Sequence, residues 1–170
     1  MNQLVTPSIM TIAKESLTPF EFTRLFIASP ALALQARGNG EPVIVMPGLG
    51  ASNWSTFLLR RYLKWLGHRV EGWKMGRNSG NVTELLPRVV EHVQQVHQST
   101  GLKVHLVGWS LGGVLAREVA RDNPEIVRQV VTMGSPVVGG PKYTVFGKLY
   151  RQRGADVDAI EATIAARESN

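Results

Sequence analysis

With 170 residues, of which 44% are hydrophobic and 19% charged, the chain has the size and composition of one folded domain, which excludes a disordered or fibrous protein. It contains no cysteine, so disulfides and cysteine metal sites are excluded. The formal net charge is +6, but the basic residues are scattered and lack interleaved aromatic residues. No nucleic-acid partner is therefore predicted, while contact with a membrane surface is left open.

The N-terminal part is predicted to be helical. Residues 18–36 resemble a capped helix, with Thr18 as N-cap and Glu21 completing a capping box. Pro30 should kink or end this helix. Its apolar residues either pack on the rest of the domain or form a flap over a hydrophobic site. We interpret residues 1–38 as a helical extension of a single domain that covers residues 1–170.

Targeting signals are not evident in this region. The first 16 residues lack the basic start and apolar core of a secretion signal. The longest weakly polar run, residues 25–36, is shorter than the ~20 residues that span a bilayer as a helix. We therefore expect a cytoplasmic protein.

Strands and helices alternate through the middle of the chain. The pattern predicts strands at 43–46, within 68–75, at 103–108 and at 128–133, and helices at 52–66, 83–98 and 111–121. The strands are too apolar to face water, which is typical of a parallel sheet with helices on both faces. A last amphipathic helix is predicted at 156–169, and the fold class is α/β.

The stretch Gly108-Trp109-Ser110-Leu111-Gly112 reads G-x-S-x-G between a predicted strand and a predicted helix. In a nucleophile elbow the glycines allow a sharp turn that lifts the serine hydroxyl above the sheet. The same turn places the N–H of Leu111 at a helix N-terminus, where it can stabilise an oxyanion. Ser110 is therefore the candidate nucleophile; the alternative is an ordinary N-cap serine.

A second glycine-rich turn, "MPGLGAS", follows the first predicted strand. A second oxyanion donor in such sites comes from a loop of this kind. The N–H of Leu49, directly after Pro47-Gly48, is the candidate, and a simple tight turn is the alternative. The chain carries no dinucleotide fingerprint or phosphate-binding loop, so we predict neither a cofactor nor a metal.

Three stretches in this order, "VIVMPGLGAS", "VHLVGWSLGGVLAREVA" and "VVTMGSPVVGG", resemble the α/β-hydrolase superfamily, in particular its bacterial lipases and esterases. The resemblance covers residues 40–145. It implies the α/β-hydrolase fold and hydrolysis of a small-molecule ester or lipid-like substrate through an acyl-enzyme at Ser110. It also implies that the "GSP" segment helps to line an acyl pocket.

The triad of that superfamily runs in the order Ser, Asp or Glu, then His, yet no histidine follows Ser110. The chain's four histidines all precede it: His68, His92, His97 and His105. His105 lies five residues before Ser110 along a strand, which at about 3.3 Å per residue places it roughly 16 Å from Ser110. The two helical ones are expected to leave at least one side chain solvated.

Three explanations remain for the missing acid and base. The chain is a C-terminally truncated hydrolase, a natural short chain completed by association, or an inactive member kept as a binding protein. In each case we expect the chain alone to be weakly active or inactive. A noncatalytic binding module and an acyltransferase are the alternative functions.

The predicted strand at 128–133 would form an exposed sheet edge although its sequence is apolar. Such an edge favours pairing with another chain. We therefore expect a homodimer or a domain-swapped oligomer formed through this edge. Light scattering at micromolar concentration tests this, because a purely monomeric species would contradict it.

Overall fold

The computed structural model describes residues 31, 32, 34–135 and 162. Residues 31 and 32 are helical, but residues 34–36 form a turn and irregular chain, so the predicted N-terminal helix does not extend to residue 36; its residues 18–30 and 33 lie outside the described residues. The predicted C-terminal helix also lies outside them, apart from Ala162, which is helical.

Four strands and three α-helices alternate in the described residues, as the sequence predicts. They are β1 (Pro42–Met46), a 3₁₀ turn (Asn53–Thr56), α1 (Phe57–Trp65), β2 (Arg69–Gly72), α2 (Val82–Thr100), β3 (Val104–Trp109), α3 (Leu111–Asp122) and β4 (Val127–Met133). The predicted first helix begins with the 3₁₀ turn, and β2 is shorter than the stretch predicted for it.

The strands form one parallel sheet in the order β2-β1-β3-β4. Met46 pairs with Gly108, and Trp109 pairs with Met133. The carboxyl ends of β1, β3 and β4 therefore lie side by side at one edge of the sheet. The predicted α/β class with a parallel sheet between helices is confirmed.

Each face of the sheet is covered by different helices. Because side chains alternate along a strand, Ile44 and Met46 of β1 join a large core under α2 and α3. Val43 and Val45 face the other way, into a small cluster with Val70. That smaller cluster is completed by Leu59 and Leu63 of α1 and by Val107.

Helix α2 is bounded by local signals. The side chain of Asn81 accepts a hydrogen bond from the N–H of Glu84 at 3.2 Å and donates to its carboxylate at 3.3 Å, which is an N-terminal cap. Gly101 ends the helix in the left-handed conformation, with φ 68°. Pro87 is the sixth residue of this helix and lies beyond its first turn.

Strand β4 is an edge of the described part of the sheet, since it pairs there with β3 alone. Val131 is 42% exposed. The expected pairing of this edge with a second copy stays a prediction. No helix among the described residues is long and apolar enough to cross a bilayer; the cytoplasmic location also stays a prediction.

Candidate active site

Three segments meet at the carboxyl edge of the sheet. The loop after β1, the turn between β3 and α3, and the residues after β4 are brought together by the register of these strands. In open α/β sheets, ligands bind at this edge. The predicted site residues in these segments, which are far apart in sequence, therefore lie in one region.

Ser110 has a backbone conformation that residues other than glycine rarely adopt, with φ 52° and ψ −121°. Its N–H donates to the carbonyl of Met133 at 2.8 Å, which ties the turn to the end of β4. Its side chain makes no capping hydrogen bond to α3. The N-cap interpretation is therefore wrong: the residue stands at the N-cap position, but its hydroxyl does not cap the helix.

The glycines around Ser110 are required by close packing. A methyl group on Gly112 would lie 2.5 Å from the carbonyl oxygen of Met46 and 2.7 Å from that of Pro47. A methyl group on Gly108 would collide with the backbone of Gly112 and Gly113. These neighbours are backbone atoms of strands and helices, which cannot move aside. The two glycines thus allow β3, α3 and the loop after β1 to pack directly on one another.

The loop that carries Leu49 lies beside Ser110. A methyl group on Gly48 would be 3.2 Å from the Cβ and 3.8 Å from the Oγ of Ser110. Among the hydrogen bonds of the described residues, none uses the N–H of Leu49 or of Leu111. Within the described residues both donors are therefore unpaired, the second because it begins a helix. Trp109, the remaining predicted elbow residue, is 48% exposed.

Asn78 holds the loop after β1, and the sequence analysis did not identify it. Its side-chain amide donates to the carbonyl of Pro47 at 2.9 Å, and its backbone exchanges hydrogen bonds with Gly50 and Ala51, each 2.8 Å long. Its side-chain oxygen accepts from the N–H of Gly80. Asn78 is fully buried. The only signal in the sequence is a polar residue in a glycine-rich loop after a strand.

Ser135, the serine of "GSP", is a second residue whose contact the sequence did not reveal. Its hydroxyl donates to the carbonyl of Ser110 at 2.7 Å. Because Ser110 also bonds to Met133, the end of β4 holds the turn at two points. The resemblance implied an acyl-pocket role for this segment, and its residues 136–140 lie outside the described residues.

None of the four histidines is engaged with Ser110; each has another neighbour. The ring of His68 is 3.4 Å from the carboxylate of Glu41, and His97 lies 2.9 Å from the carbonyl of Leu102. His105 is bonded to Gln129 at the amino end of β3, the end opposite to Ser110.

His92 is the buried one of the two histidines of α2. It is buried, and its Nε2 donates to the carbonyl of Gly72 at 3.1 Å. Burial lowers the pKa of His92 below its ordinary value, despite the opposing hydrogen bond to Gly72. The ring therefore links α2 to the end of β2 in its neutral form, while His97 on the same helix is only partly buried.

Comparison with known proteins agrees with this geometry. The family model of the α/β hydrolase fold matches residues 86–165. A pimeloyl-[acyl-carrier protein] methyl ester esterase of Proteus mirabilis is 32% identical over 104 residues, which cover 59% of this chain and 39% of the relative. A 2-hydroxy-6-oxononadienedioate/2-hydroxy-6-oxononatrienedioate hydrolase of a Pseudomonas species is 34% identical over 121 residues, covering 63% and 41%. These similarities, together with the parallel sheet, show the α/β-hydrolase fold.

A solved structure supports this fold. The mature form of a Bacillus licheniformis lipase superimposes with a TM-score of 0.56 at 17% identity, covering 80% of this chain and 61% of the lipase. At that identity the similarity concerns the fold alone. The chain spans about two fifths of the length of the curated relatives it matches, so these similarities support the fold but no substrate.

Proposed function

We propose that the protein is a serine hydrolase of the esterase or lipase type, with Ser110 as its nucleophile. The observation that carries the proposal is the strained backbone of Ser110, φ 52° and ψ −121°, together with a hydroxyl that does not cap the helix. Strain of this size is retained where the surrounding structure enforces it, and it is frequent at catalytic positions. Here the glycine packing and the two bonds from the end of β4 enforce it.

The proposed reaction proceeds through an acyl-enzyme. The Oγ of Ser110 attacks the carbonyl carbon of an ester, and its proton passes to a base. The N–H groups of Leu49 and Leu111 donate to the negative oxygen that forms. The alcohol then leaves, and water hydrolyses the acyl group from the serine. The position of Gly48 beside Ser110 and the free donors of both leucines support this assignment.

The base is assigned to none of the four histidines. Their neighbours are Glu41, Gly72, Leu102 and Gln129, and none of these contacts leads to Ser110. We therefore expect the 170-residue chain alone to be weakly active. An oxyanion hole without a complete triad still retains part of the rate enhancement.

The proposed substrate is a small-molecule carboxylic ester or a lipid-like ester. The two relatives named above are a methyl ester esterase and a hydrolase of a dienedioate compound. These names support a carboxylic acid derivative as the substrate class. The substrate's chain length is left undefined.

Hydrolysis of p-nitrophenyl butyrate by the purified chain tests this function. We compare the unmodified protein with Ser110→Ala and with the control Ser99→Ala, whose hydroxyl donates to the carbonyl of Val96 on α2. The expected result is slow hydrolysis that only Ser110→Ala abolishes. Covalent labelling by a fluorophosphonate, located by mass spectrometry, should mark Ser110 alone.

Each alternative function predicts a different result. Equal rates in all three proteins, without labelling of Ser110, would contradict the proposal and favour a noncatalytic binding module. Formation of a methyl ester in the presence of methanol, dependent on Ser110, would indicate acyl transfer. A histidine-to-glutamine variant that abolishes the slow reaction would overturn the exclusion of that histidine as base.

A further inference from the structure

The outer side of α1 and the turn before it expose apolar residues. Among the described residues, four of the eight exposed large apolar side chains lie within residues 54–65. Trp54 is 79% exposed, Leu58 69% and Trp65 46%, and Phe57 is also exposed. Leu59 and Leu63 on the inner side contact the core, so within the described residues α1 packs on the sheet through that side.

Basic residues surround these apolar side chains. Arg61 lies over the ring of Phe57 at 5.9 Å, and Arg37 lies over the ring of Trp65 at 4.5 Å. Together with Arg60 and Lys64 they line or border a groove of about 450 Å³ along the helix. We call Trp54, Phe57, Leu58, Arg61, Lys64 and Trp65 the α1 patch. From the sequence the basic residues were expected to be scattered and without interleaved aromatic residues, whereas on α1 the two kinds of residue lie together.

The cations of this region have no acidic partners among the described residues. Residues 42–70 contain neither aspartate nor glutamate. Within the part of the chain that the structure describes, none of the ion pairs involves Arg37, Arg61 or Lys64, whereas Lys74 and Arg88 on other surfaces are paired. The patch therefore combines an unneutralised positive charge with exposed apolar side chains.

We propose that the α1 patch docks the protein on an anionic lipid surface. Tryptophan, phenylalanine and leucine on one side of a helix insert into the boundary between headgroups and acyl chains, while arginine and lysine beside them bind anionic headgroups. The aliphatic stems of the Arg61 and Lys64 side chains are long enough to extend the charged groups toward the headgroups. A polyphosphate backbone would match the cations but would leave Leu58 in water.

The place of the patch in the fold gives this docking a consequence for the candidate site. Trp54 comes a few residues after the loop that lies beside Ser110. The side-chain oxygen of Asn53 accepts a hydrogen bond of 2.6 Å from the N–H of Trp73, just after β2. The N-terminal end of the patch thus adjoins the carboxyl edge of the sheet. A bilayer on the patch would lie next to the edge that carries Ser110.

Flotation with vesicles tests the proposal on the full 170-residue chain carrying Ser110→Ala, so that binding is measured independently of catalysis. Vesicles of equal parts phosphatidylcholine and phosphatidylglycerol are compared with pure phosphatidylcholine. We expect binding to the anionic vesicles only. The double variant Arg61→Glu with Lys64→Glu should weaken it about tenfold or more, as expected when two cations leave an anionic surface. Trp54→Ser with Leu58→Ser should weaken it comparably without changing the charge.

A matched control separates the patch from the net charge of the protein. Lys103→Glu with Arg128→Glu changes the net charge by the same amount at two exposed residues outside the patch, and binding should stay close to that of the parent. Equal loss in this control would overturn the proposal, because a diffuse positive charge would then explain binding. Unchanged binding in both patch variants would overturn it as well.

Fluorescence tests whether the patch enters the bilayer. Acyl chains brominated near the headgroup should quench tryptophan emission, and Trp54→Phe should reduce this quenching more than Trp109→Phe does. Failure to bind either vesicle, with binding of oligo-dT or polyglutamate that is lost in Arg61→Glu with Lys64→Glu, would overturn the lipid proposal in favour of a nucleic acid or an acidic protein. None of these outcomes depends on whether Ser110 is a nucleophile.

Discussion

The two faces of the sheet differ in how completely the described residues cover them. Helices α2 and α3 bury one face in a large cluster that includes Leu106, Leu115 and Val119, all fully buried. On the other face α1 covers three buried valines, while Val107 is only partly buried and Val131 is 42% exposed. Stability and the rigid support of Ser110 are therefore concentrated on the first face. The second face is left with the exposed groups from which we infer an interaction surface.

The largest expected effect compares equal leucine truncations on the two faces. Leu115→Ala, in the large core, should lower the free energy of unfolding by about 3 kcal/mol or more, because a buried cavity is left. Leu63→Ala, at a half-buried residue on the inner side of α1, should cost about 1 kcal/mol. Urea unfolding followed by circular dichroism measures both. Equal costs would contradict the proposed difference between the faces.

The next prediction concerns the glycine packing at the turn. Gly112→Ala should lower the free energy of unfolding by about 2–3 kcal/mol, because its methyl group collides with the carbonyls of Met46 and Pro47. It should also abolish labelling of Ser110. Gly101→Ala is the control: it has open space around it and φ 68°, so it should cost about 1 kcal/mol and leave labelling unchanged. Normal labelling in Gly112→Ala would rule out the tight packing as the support of the serine.

A smaller effect is expected from Asn78. Removing its side chain in Asn78→Ala leaves the carbonyl of Pro47 and the N–H of Gly80 without their partner, at a cost of about 1–2 kcal/mol. The loop after β1 should then open more often. We expect faster amide hydrogen exchange at Gly50, whose N–H donates to Asn78, and slower labelling of Ser110.

The matched control for this loop is Asn81→Ala, which removes the exposed cap of α2. It should destabilise α2 by about 1 kcal/mol without changing exchange at Gly50. If both variants changed exchange at Gly50 equally, the effect would be a global loss of stability, and Asn78 would have no special role in holding the loop.

The smallest effect is the pH dependence set by His92. Burial lowers its pKa in the folded protein, whereas in the unfolded chain it titrates at about 6.5. Below that pH the unfolded state binds a proton that the folded state does not, so the free energy of unfolding falls as pH decreases toward the lowered pKa. Because burial lowers the pKa of His105 as well, both rings act in the same direction.

His92→Gln tests this assignment, since glutamine can still donate to the carbonyl of Gly72 but does not titrate. The urea midpoint is measured at about pH 7.5 and about pH 5.5, one unit on either side of 6.5. Between these two conditions the midpoint of the variant should fall less than that of the unmodified protein. Gln94→Ala, an exposed change on the same helix, should keep the original dependence. An unchanged slope in His92→Gln would place the titrating group elsewhere.

The sequence by itself determined the alternation of strands and helices and the turn at Ser110. Local signals were sufficient for this: apolar strands such as residues 43–46 and 103–108, glycines on both sides of the serine, and Gly67 and Gly101 after two helices. These features depend on backbone conformation and on neighbours close in sequence. The predicted β1, β3, α3 and β4 therefore agree with the structure within one or two residues.

Only the tertiary structure decided which distant groups meet. The register of β1 on β3 brings Gly48 beside Ser110, and the loop after β2 buries Asn78 against Pro47. The burial of His92 likewise depends on how α2 packs against β2, because helical spacing alone does not distinguish a solvated histidine from a buried one. For the same reason the apolar residues of α1 could be assigned to an inner and an outer side only once the sheet beneath that helix was known.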